Sequence, residues 1–110
     1  MNMASVTLDG ATMTDWAAFH AQSRQVFGFP DFYGASMDAW IDCLSYLRDD
    51  DGMASVRLGP DEVLEIRIEH SDAWRRQQPD MLDEVLYCIE GINERYADYG
   101  EPAALKVTLR

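Results

Sequence analysis

Three short apolar segments are separated in this chain by long stretches with helical periodicity. Residues 4–8 and 103–109 predict the first and last strands, and 62–69 alternates between apolar and polar side chains. Every connection between strands therefore passes through helices, in the order β-α-α-β-α-α-β. Such connections join parallel strands, so we expect an α/β fold with a small three-stranded parallel sheet packed by helices.

Four helices are predicted from apolar positions that recur three and four residues apart. They span 15–27, 37–48, 72–77 and 80–97. Their predicted N-caps include Thr14, Ser36 and Ser71. These side-chain types accept hydrogen bonds from the first backbone N–H groups of a helix. Gly28 and Pro79 are predicted to end the helices that precede them.

The environments of several side chains can be predicted from the same patterns. We expect Trp16 and Trp40 in the core, because both lie on apolar helix stripes. Trp74 is expected to be half exposed, and His20 is expected at the surface or at its boundary with the core. Residues 53–58 are expected to form a short extended segment.

The chain is strongly acidic. It has 110 residues, which predicts a single domain over 1–110, with 20 acidic and 9 basic side chains and a formal net charge of −11. This charge disfavours direct binding to nucleic acid, where lysine and arginine must displace the counterions of phosphates. It suits either solubility alone or a basic protein partner that is attracted over long range.

Sequence features also bear on cellular location and cofactors. The apolar runs are too short to span a bilayer, and the first ten residues lack the features of a signal peptide, so we expect a cytoplasmic protein without membrane association. Cys43 and Cys88 are expected to be buried reduced thiols, and a disulfide between them is the open alternative. Because the cysteines and the distant His20 and His70 lack ligand spacing, we expect no metal and no cofactor.

Residues 29–47, FPDFYGASMDAWIDCLSYL, lead from an aromatic loop into a helix with two distinct faces. The apolar face holds Met37, Trp40, Ile41, Leu44 and Leu47. Asp38, Asp42 and Ser45 share the other face, at i, i+4 and i+7. Like charges one turn apart do not stabilise a helix, so these carboxylates favour a role in binding. A cationic partner fits them, such as a nuclease cleft whose basic groups hold phosphates.

Other functional classes stay open on these residues alone. A solvated acidic helix face is the simplest. A small enzyme using Asp38 and Asp42 would need a pocket that separates their pKa values, and no phosphate-binding glycine loop or nucleophile elbow accompanies them. An acidic adaptor or regulatory module could bind a non-nuclease protein. The aromatic pair Phe32 and Tyr33 favours a protein interface, where such side chains are enriched.

The same segment resembles a known family. The loop 29–34 has the order apolar, proline, acidic, aromatic, tyrosine, glycine, and the helix then carries Met-Asp-Ala at 37–39 and Asp-Cys-Leu at 42–44. This arrangement is similar to the barstar family of intracellular ribonuclease inhibitors. The resemblance implies a three-stranded parallel sheet packed by helices. It also implies a reversible 1:1 complex, without metal, in which loop and helix plug the active site of a nuclease.

The resemblance further implies roles for individual residues. Asp42 would occupy a phosphate site among the basic residues of the nuclease, and Asp38 would be the second acidic contact. Phe32 would pack on the nuclease, and Ser45 would add a hydroxyl contact. The other implied contacts are Tyr33, Gly34 and Ser36. The implied partner is a basic ribonuclease or nuclease toxin, with this chain as a possible immunity protein and a monomer when free.

The chain departs from the family pattern at several places. Phe32 stands where the family has tyrosine, Ile41 where it has tryptophan, and Tyr46 where it has glycine. Gly91 aligns with an acidic contact of the family, and the segment 48–61 is longer than its counterpart. These departures leave the expected fold unchanged and bear on which nuclease is the target.

Overall fold

The computed structural model describes residues 3–50 and 52–110, without the side chain of Met3. In chain order the elements are β1 (Met3–Asp9), a 3₁₀ turn (Gly10–Thr12), α1 (Trp16–Phe27), α2 (Met37–Leu44), β2 (Val63–Glu69), α3 (Ser71–Gln77), α4 (Pro79–Asp98) and β3 (Leu105–Leu109). Strand β2 lies between β1 and β3, and both pairs are parallel. The predicted α/β fold with a three-stranded parallel sheet is confirmed.

The sheet has one apolar and one polar face, because side chains alternate along each strand. Leu64, Ile66 and Ile68 of β2 are fully buried, and the register places Val6 and Val107 on either side of Ile66. This face packs with the buried side chains of the helices in one core. The other face carries the exposed side chains of Ser5, Thr7 and Lys106.

Glu65 lies in the middle of the polar face and is buried there, with only 7% of its surface exposed. One carboxylate oxygen accepts from the Thr108 hydroxyl at 2.6 Å, and the other accepts from Nε of Arg67 at 2.9 Å. These hydrogen bonds hold the Glu65 pKa below its ordinary value, with Lys106 also contributing. The alternation predicted for this strand is confirmed. Protein donors replace water as the hydrogen-bond partners of the buried carboxylate.

The predictions for two of the three tryptophans are wrong. Trp40 is fully buried as predicted, but Trp74 is also fully buried, whereas Trp16 is 39% exposed. Trp16 is the first residue of α1, and the buried stripe of this helix begins only at Phe19. Trp74 stacks on Phe19 with ring centroids 6.2 Å apart, and its Cβ would lie 3.0 Å from a Cβ placed on Gly10. Helix α3 therefore closes the core over the 3₁₀ turn.

The N-cap of α2 is confirmed, but that of α1 is not. The hydroxyl of Ser36 accepts from the backbone N–H of Ala39 at 3.1 Å. In α1 the cap is Asp15, whose carboxylate accepts from the N–H of Ala18 at 2.8 Å. Thr14 therefore lies outside the helix. Aspartate at this position also places a negative charge at the positive end of the helix dipole.

Helix α2 ends at Leu44, earlier than predicted, because a side chain from α4 binds its end. The Tyr96 hydroxyl donates to the carbonyl of Leu44 and accepts from the N–H of Leu47, both at 2.9 Å. The Ser45 hydroxyl donates to the carbonyl of Ile41 at 2.6 Å. These contacts satisfy backbone groups that a further helical turn would otherwise have used.

The cap predicted for α3 is also wrong. Ser71 is the first helical residue, and His70 precedes it with a left-handed backbone, φ 53°. The Ser71 hydroxyl donates instead to the carbonyl of Arg110 at 2.8 Å, which ties α3 to the end of the chain. Pro79 ends α3 as predicted and is also the first residue of α4, a position that needs no N–H donor.

Residues 53–58 were predicted to be extended, but they bend at 53–55 and pack against the end of α1. The N–H of Ser55 donates to the carbonyls of Phe27 and Gly28 at 3.1 and 3.0 Å. Gly28 has φ 66°, and a Cβ there would lie 2.3 Å from the Ser55 hydroxyl oxygen, so glycine alone fits. The segment contributes two buried side chains, Ala54 and Leu58. It thereby supports the point at which the aromatic loop begins.

Candidate protein-binding site

The loop between α1 and α2 has a buried base and an exposed tip. Phe29 is 6% exposed, and its ring lies 5.3 Å from that of Phe27 and 4.7 Å from that of Tyr33. The N–H of Tyr33 donates to the carbonyl of Pro30 at 3.0 Å, which closes a turn. Phe32 lies within this turn and is 77% exposed. The turn thus holds a large apolar ring out in solvent.

Tyr33 points into the protein rather than out of it. Its hydroxyl shares a hydrogen bond of 2.5 Å with Nδ1 of His20, and the two ring centroids are 5.7 Å apart. His20 is only 6% exposed and is therefore buried, not at the surface or its boundary as predicted. Burial lowers the pKa of His20 and raises that of the Tyr33 hydroxyl, with Cys43 adding to the second effect. Tyr33 therefore anchors the loop to α1.

Helix α2 presents its carboxylates from a fixed base. The Trp40 side chain is fully buried, and its Nε1 donates to the Ser23 hydroxyl of α1 at 3.1 Å. Cys43 is buried beside it. Asp38 and Asp42 lie on the opposite face of the helix and are exposed, as their spacing predicts. Packing on one face thus fixes the direction in which the two acidic side chains point.

Arg95 of α4, which no sequence pattern predicts, completes this surface. Its Nη1 donates to Oδ1 of Asp42 at 3.2 Å and to the Ser45 hydroxyl oxygen at 3.1 Å. The Asp42 side chain remains 56% exposed and that of Arg95 48% exposed. Arg95 adjoins Tyr96, whose hydroxyl binds the end of α2, and this neighbour brings it to Asp42. No local sequence signal links residues that lie this far apart in the chain.

The predicted site residues fall into three groups. Three are exposed on the loop tip and at the start of α2: Phe32, Gly34 and Ser36. Asp38 and Asp42 form the exposed acidic face, and the half-buried Ser45 adjoins it. Tyr33 is half buried behind the loop, where its ring supports Phe29. Asp49 and Asp50, which follow α2, are also exposed, and Asp51 lies outside the described residues.

Two grooves lie between α2 and α4. The first, of about 250 Å³, includes Ile41 and Gly91 together with the carboxylates of Glu90 and Glu94. The adjoining groove, of about 350 Å³, is lined by Asp42, Ser45, Tyr46, Arg95, Asp98 and Tyr99. Both therefore combine exposed aromatic or apolar surface with carboxylates. Surfaces of this composition suit a protein partner that carries positive charge.

The profile of one protein family matches nearly the whole chain. That family is described as Barstar (barnase inhibitor), and the match covers residues 3–108. The chain belongs to the barstar family. None of the curated proteins compared with the chain matches it. Membership indicates a ribonuclease-inhibitor-like protein whose partner is another protein, since the family is described by inhibition and not by catalysis.

The departures from the barstar pattern lie at defined places. Phe32 and Tyr46 are both exposed, at 77% and 44%, and Tyr46 lines a groove together with Asp42. Ile41 and Gly91 line the other groove, and a Cβ on Gly91 would meet no atom within 4 Å. Within the longer segment 48–61, residues 53–58 lie against the end of α1 and contribute to the core. These residues therefore act as a support for the loop.

Neither a cluster of metal-binding side chains nor a membrane-spanning helix is found in the described residues. Within 3–50 and 52–110, no three histidine, cysteine or acidic side chains converge to hold a metal ion. None of the helices found there is long and apolar enough to cross a membrane. Cys43 and Cys88 are buried and unpaired, and burial raises the pKa of both thiols, that of Cys88 to about 11. Such thiols are poor nucleophiles.

We expect the replacement His20→Gln to reduce the pH dependence of stability in the barstar fold. Because burial lowers the pKa of His20 from 6.5, the unfolded chain binds more protons than the folded chain as the pH falls below that value. The contribution of neutral His20 to the free energy of unfolding is thus complete above pH 6.5 and decreases as the pH falls below it. Urea unfolding at several pH values measures it. Identical pH profiles for His20→Gln and wild type would contradict the expectation.

Proposed function

We propose that the chain inhibits a basic ribonuclease by inserting loop 29–35 and the acidic face of α2 into its active-site cleft. The observation that carries this proposal is the exposed pair Asp38 and Asp42 on a helix fixed by the buried Trp40. A ribonuclease holds phosphates with cationic side chains, and carboxylates can take the place of phosphates there through charge-assisted hydrogen bonds. Because the helix is held rigidly, little conformational entropy is lost on binding.

Within this proposal the residues have distinct tasks. Asp42 occupies a phosphate site, and Asp38 is the second acidic contact. Phe32, which is 77% exposed, packs on an apolar part of the nuclease and leaves water when the complex forms. Ser45 adds a hydroxyl contact. The remaining members of the site are Tyr33, Gly34 and Ser36, which shape the loop and the start of the helix.

The wider features of the proposal follow from charge and composition. We assign the chain to the cytoplasm as a single domain over 1–110 that is a monomer when free. A secreted ribonuclease, or a nuclease toxin for which this chain is the immunity protein, fits as the partner. With a net charge of −11, the chain approaches a basic protein by attraction and is repelled by nucleic acid.

A second function is favoured by one observation. Asp42 is already paired with an arginine of its own chain, at 3.2 Å. This pairing would suit an adaptor or regulatory module that keeps the barstar fold and binds a non-nuclease protein. Capture of such a protein through the segment 48–61, with no effect on any ribonuclease, would support this alternative.

Inhibition can be tested directly with a panel of purified ribonucleases that includes barnase, together with the nucleases of the host. RNA cleavage is followed with a fluorogenic substrate while the chain is titrated. We expect stoichiometric 1:1 inhibition of at least one ribonuclease. Absence of inhibition across the panel and the host nucleases would contradict the proposal. Substrate turnover by the chain itself, lost on replacing Asp38 or Asp42, would instead favour an enzyme.

Association with the inhibited ribonuclease is expected to slow as salt is added. Long-range attraction between the acidic chain and a basic cleft raises the association rate by about 10-fold or more at low ionic strength. Raising the salt from about 0.02 M to about 0.5 M shortens the Debye length and removes most of that gain. Stopped-flow fluorescence measures the rate. A rate constant that does not change with ionic strength would contradict a charge-led encounter.

A further inference from the structure

One basic side chain lies inside the acidic face that is proposed to bind the ribonuclease. Arg95 is half exposed, and its Nη1 donates to Oδ1 of Asp42 and to the hydroxyl oxygen of Ser45. An exposed ion pair of this kind contributes little to the stability of a fold. The position of Arg95, beside two of the predicted contact residues, therefore matters chiefly for binding.

The pair leaves hydrogen-bonding capacity on both partners. In the described ranges, Oδ2 of Asp42 accepts no hydrogen bond, and Nε and Nη2 of Arg95 donate none. Arg95 also lines the groove that contains the exposed rings of Tyr46 and Tyr99. An incoming protein can thus bind the second oxygen of Asp42 while the guanidinium stays in place, because a carboxylate accepts several hydrogen bonds.

Such an approach has an electrostatic consequence. A cation that binds Oδ2 of Asp42 brings a second positive charge to the carboxylate that already holds Arg95. The two positive charges repel each other, and the repulsion grows as water leaves the interface. The unused donors of Arg95 also lose water, which is unfavourable unless the partner supplies an acceptor. A partner that places an anion against Arg95 removes both costs.

We propose that Arg95 is a specificity-determining residue that selects ribonucleases with a carboxylate beside the cation that engages Asp42. A guanidinium binds a carboxylate through two parallel hydrogen bonds, which suits its unused donors. The preferred partner thus presents alternating charges, positive toward Asp42 and negative toward Arg95. A cleft that presents only cations at this place binds less tightly. This inference rests on the proposed function, since it needs Asp42 to contact the ribonuclease.

Barnase is the first probe, and its affinity is measured by isothermal titration calorimetry with a charge series at Arg95. We expect Arg95→Ala to bind barnase about 10-fold more tightly than wild type, and Arg95→Glu to bind more tightly still. Arg95→Lys keeps the charge and should stay close to wild type. The matched controls are Lys106→Ala and Lys106→Glu, which change the net charge equally on the polar face of the sheet and should have little effect. Thermal unfolding checks that each variant folds.

The selection of a carboxylate is tested with barnase variants in which single cleft arginines or lysines are replaced by glutamate. For at least one barnase variant, the change in affinity relative to unmodified barnase should be more favourable with the wild-type chain than with Arg95→Ala. In a double-mutant cycle this difference should be about 10-fold or more. The inference is wrong if Arg95→Ala and Arg95→Glu bind barnase with the affinity of the wild-type chain or more weakly. It is also wrong if no barnase variant binds the wild-type chain. An Asp42→Ala control separates this inference from the proposed function. If Asp42→Ala no longer inhibits a ribonuclease that wild type inhibits, while the Arg95 variants bind it like wild type, this inference is wrong and the proposed function stands.

Discussion

Replacing Asp42 with alanine is expected to weaken binding to the inhibited ribonuclease by at least about 2 kcal/mol, or roughly 30-fold in Kd. The carboxylate lies on an anchored helix and keeps one oxygen for a partner cation. Its loss would leave that cation buried in the interface without a counter-charge, and it would also leave Arg95 without its carboxylate. The figure of about 2 kcal/mol is the general threshold for an interface hot spot; the barnase–barstar complex is one of the systems from which that threshold is known.

The matched control is Asp72→Ala. Asp72 is also an exposed aspartate paired with an arginine, Arg76 at 3.3 Å, but it lies on α3. Both variants therefore lose one negative charge and one exposed ion pair, and only Asp42→Ala changes the acidic face of α2. Titration calorimetry and the inhibition assay measure the two effects. Equal inhibition by Asp42→Ala and wild type, for every ribonuclease that wild type inhibits, would remove Asp42 from the mechanism.

The variant Arg48→Met is expected to lower the free energy of unfolding by about 3 kcal/mol. The Arg48 side chain is only 6% exposed and donates to the carbonyls of Gly59, Glu62 and Pro102 at 3.2, 2.8 and 2.8 Å. Its guanidinium also lies 5.3 Å from the centre of the Tyr96 ring. The Arg48 guanidinium thus joins the segment after α2 to the residues just before β2 and β3. Methionine would leave the three carbonyls without this donor.

An exposed arginine provides the comparison for this stability test. Arg76→Met removes a side chain that is 72% exposed and pairs only with Asp72 in the described residues, so its effect should stay below about 1 kcal/mol. Urea unfolding followed by tryptophan fluorescence measures both variants. If Arg48→Met were no less stable than Arg76→Met, the network around Arg48 would not hold these segments together.

The sheet and the longest helix could be predicted because their signals are local. Strand β2 alternates between apolar and polar residues, and α4 carries an apolar stripe from Leu82 to Tyr96 that is buried along most of its length. Ser36 could be assigned as a cap because its hydroxyl acts within one turn of the helix. The outward direction of Asp38 and Asp42 followed from the same periodicity. Their role in binding stays a prediction.

The errors arise where a distant part of the chain decides the outcome. Tyr96 ends α2 by binding its last backbone groups, although helical periodicity continues beyond Leu44. His20 is buried because Tyr33 supplies a hydrogen-bond partner from the loop. Arg95 meets Asp42 across 53 positions of sequence. Periodicity describes one element at a time, so it cannot show which polar side chains two packed helices bring together.

The polar face of the sheet has a practical consequence for measuring these interactions. Lys106 is the only lysine in the sequence and is exposed on that face, away from the helices. Amine-reactive dyes or sensor surfaces should therefore couple at Lys106 or at the α-amino group, and coupling at Lys106 leaves loop 29–35 and α2 accessible. Molecules attached through Lys106 would share one orientation, with the acidic helix directed into solution. The protein thus carries its own attachment point for single-orientation binding experiments.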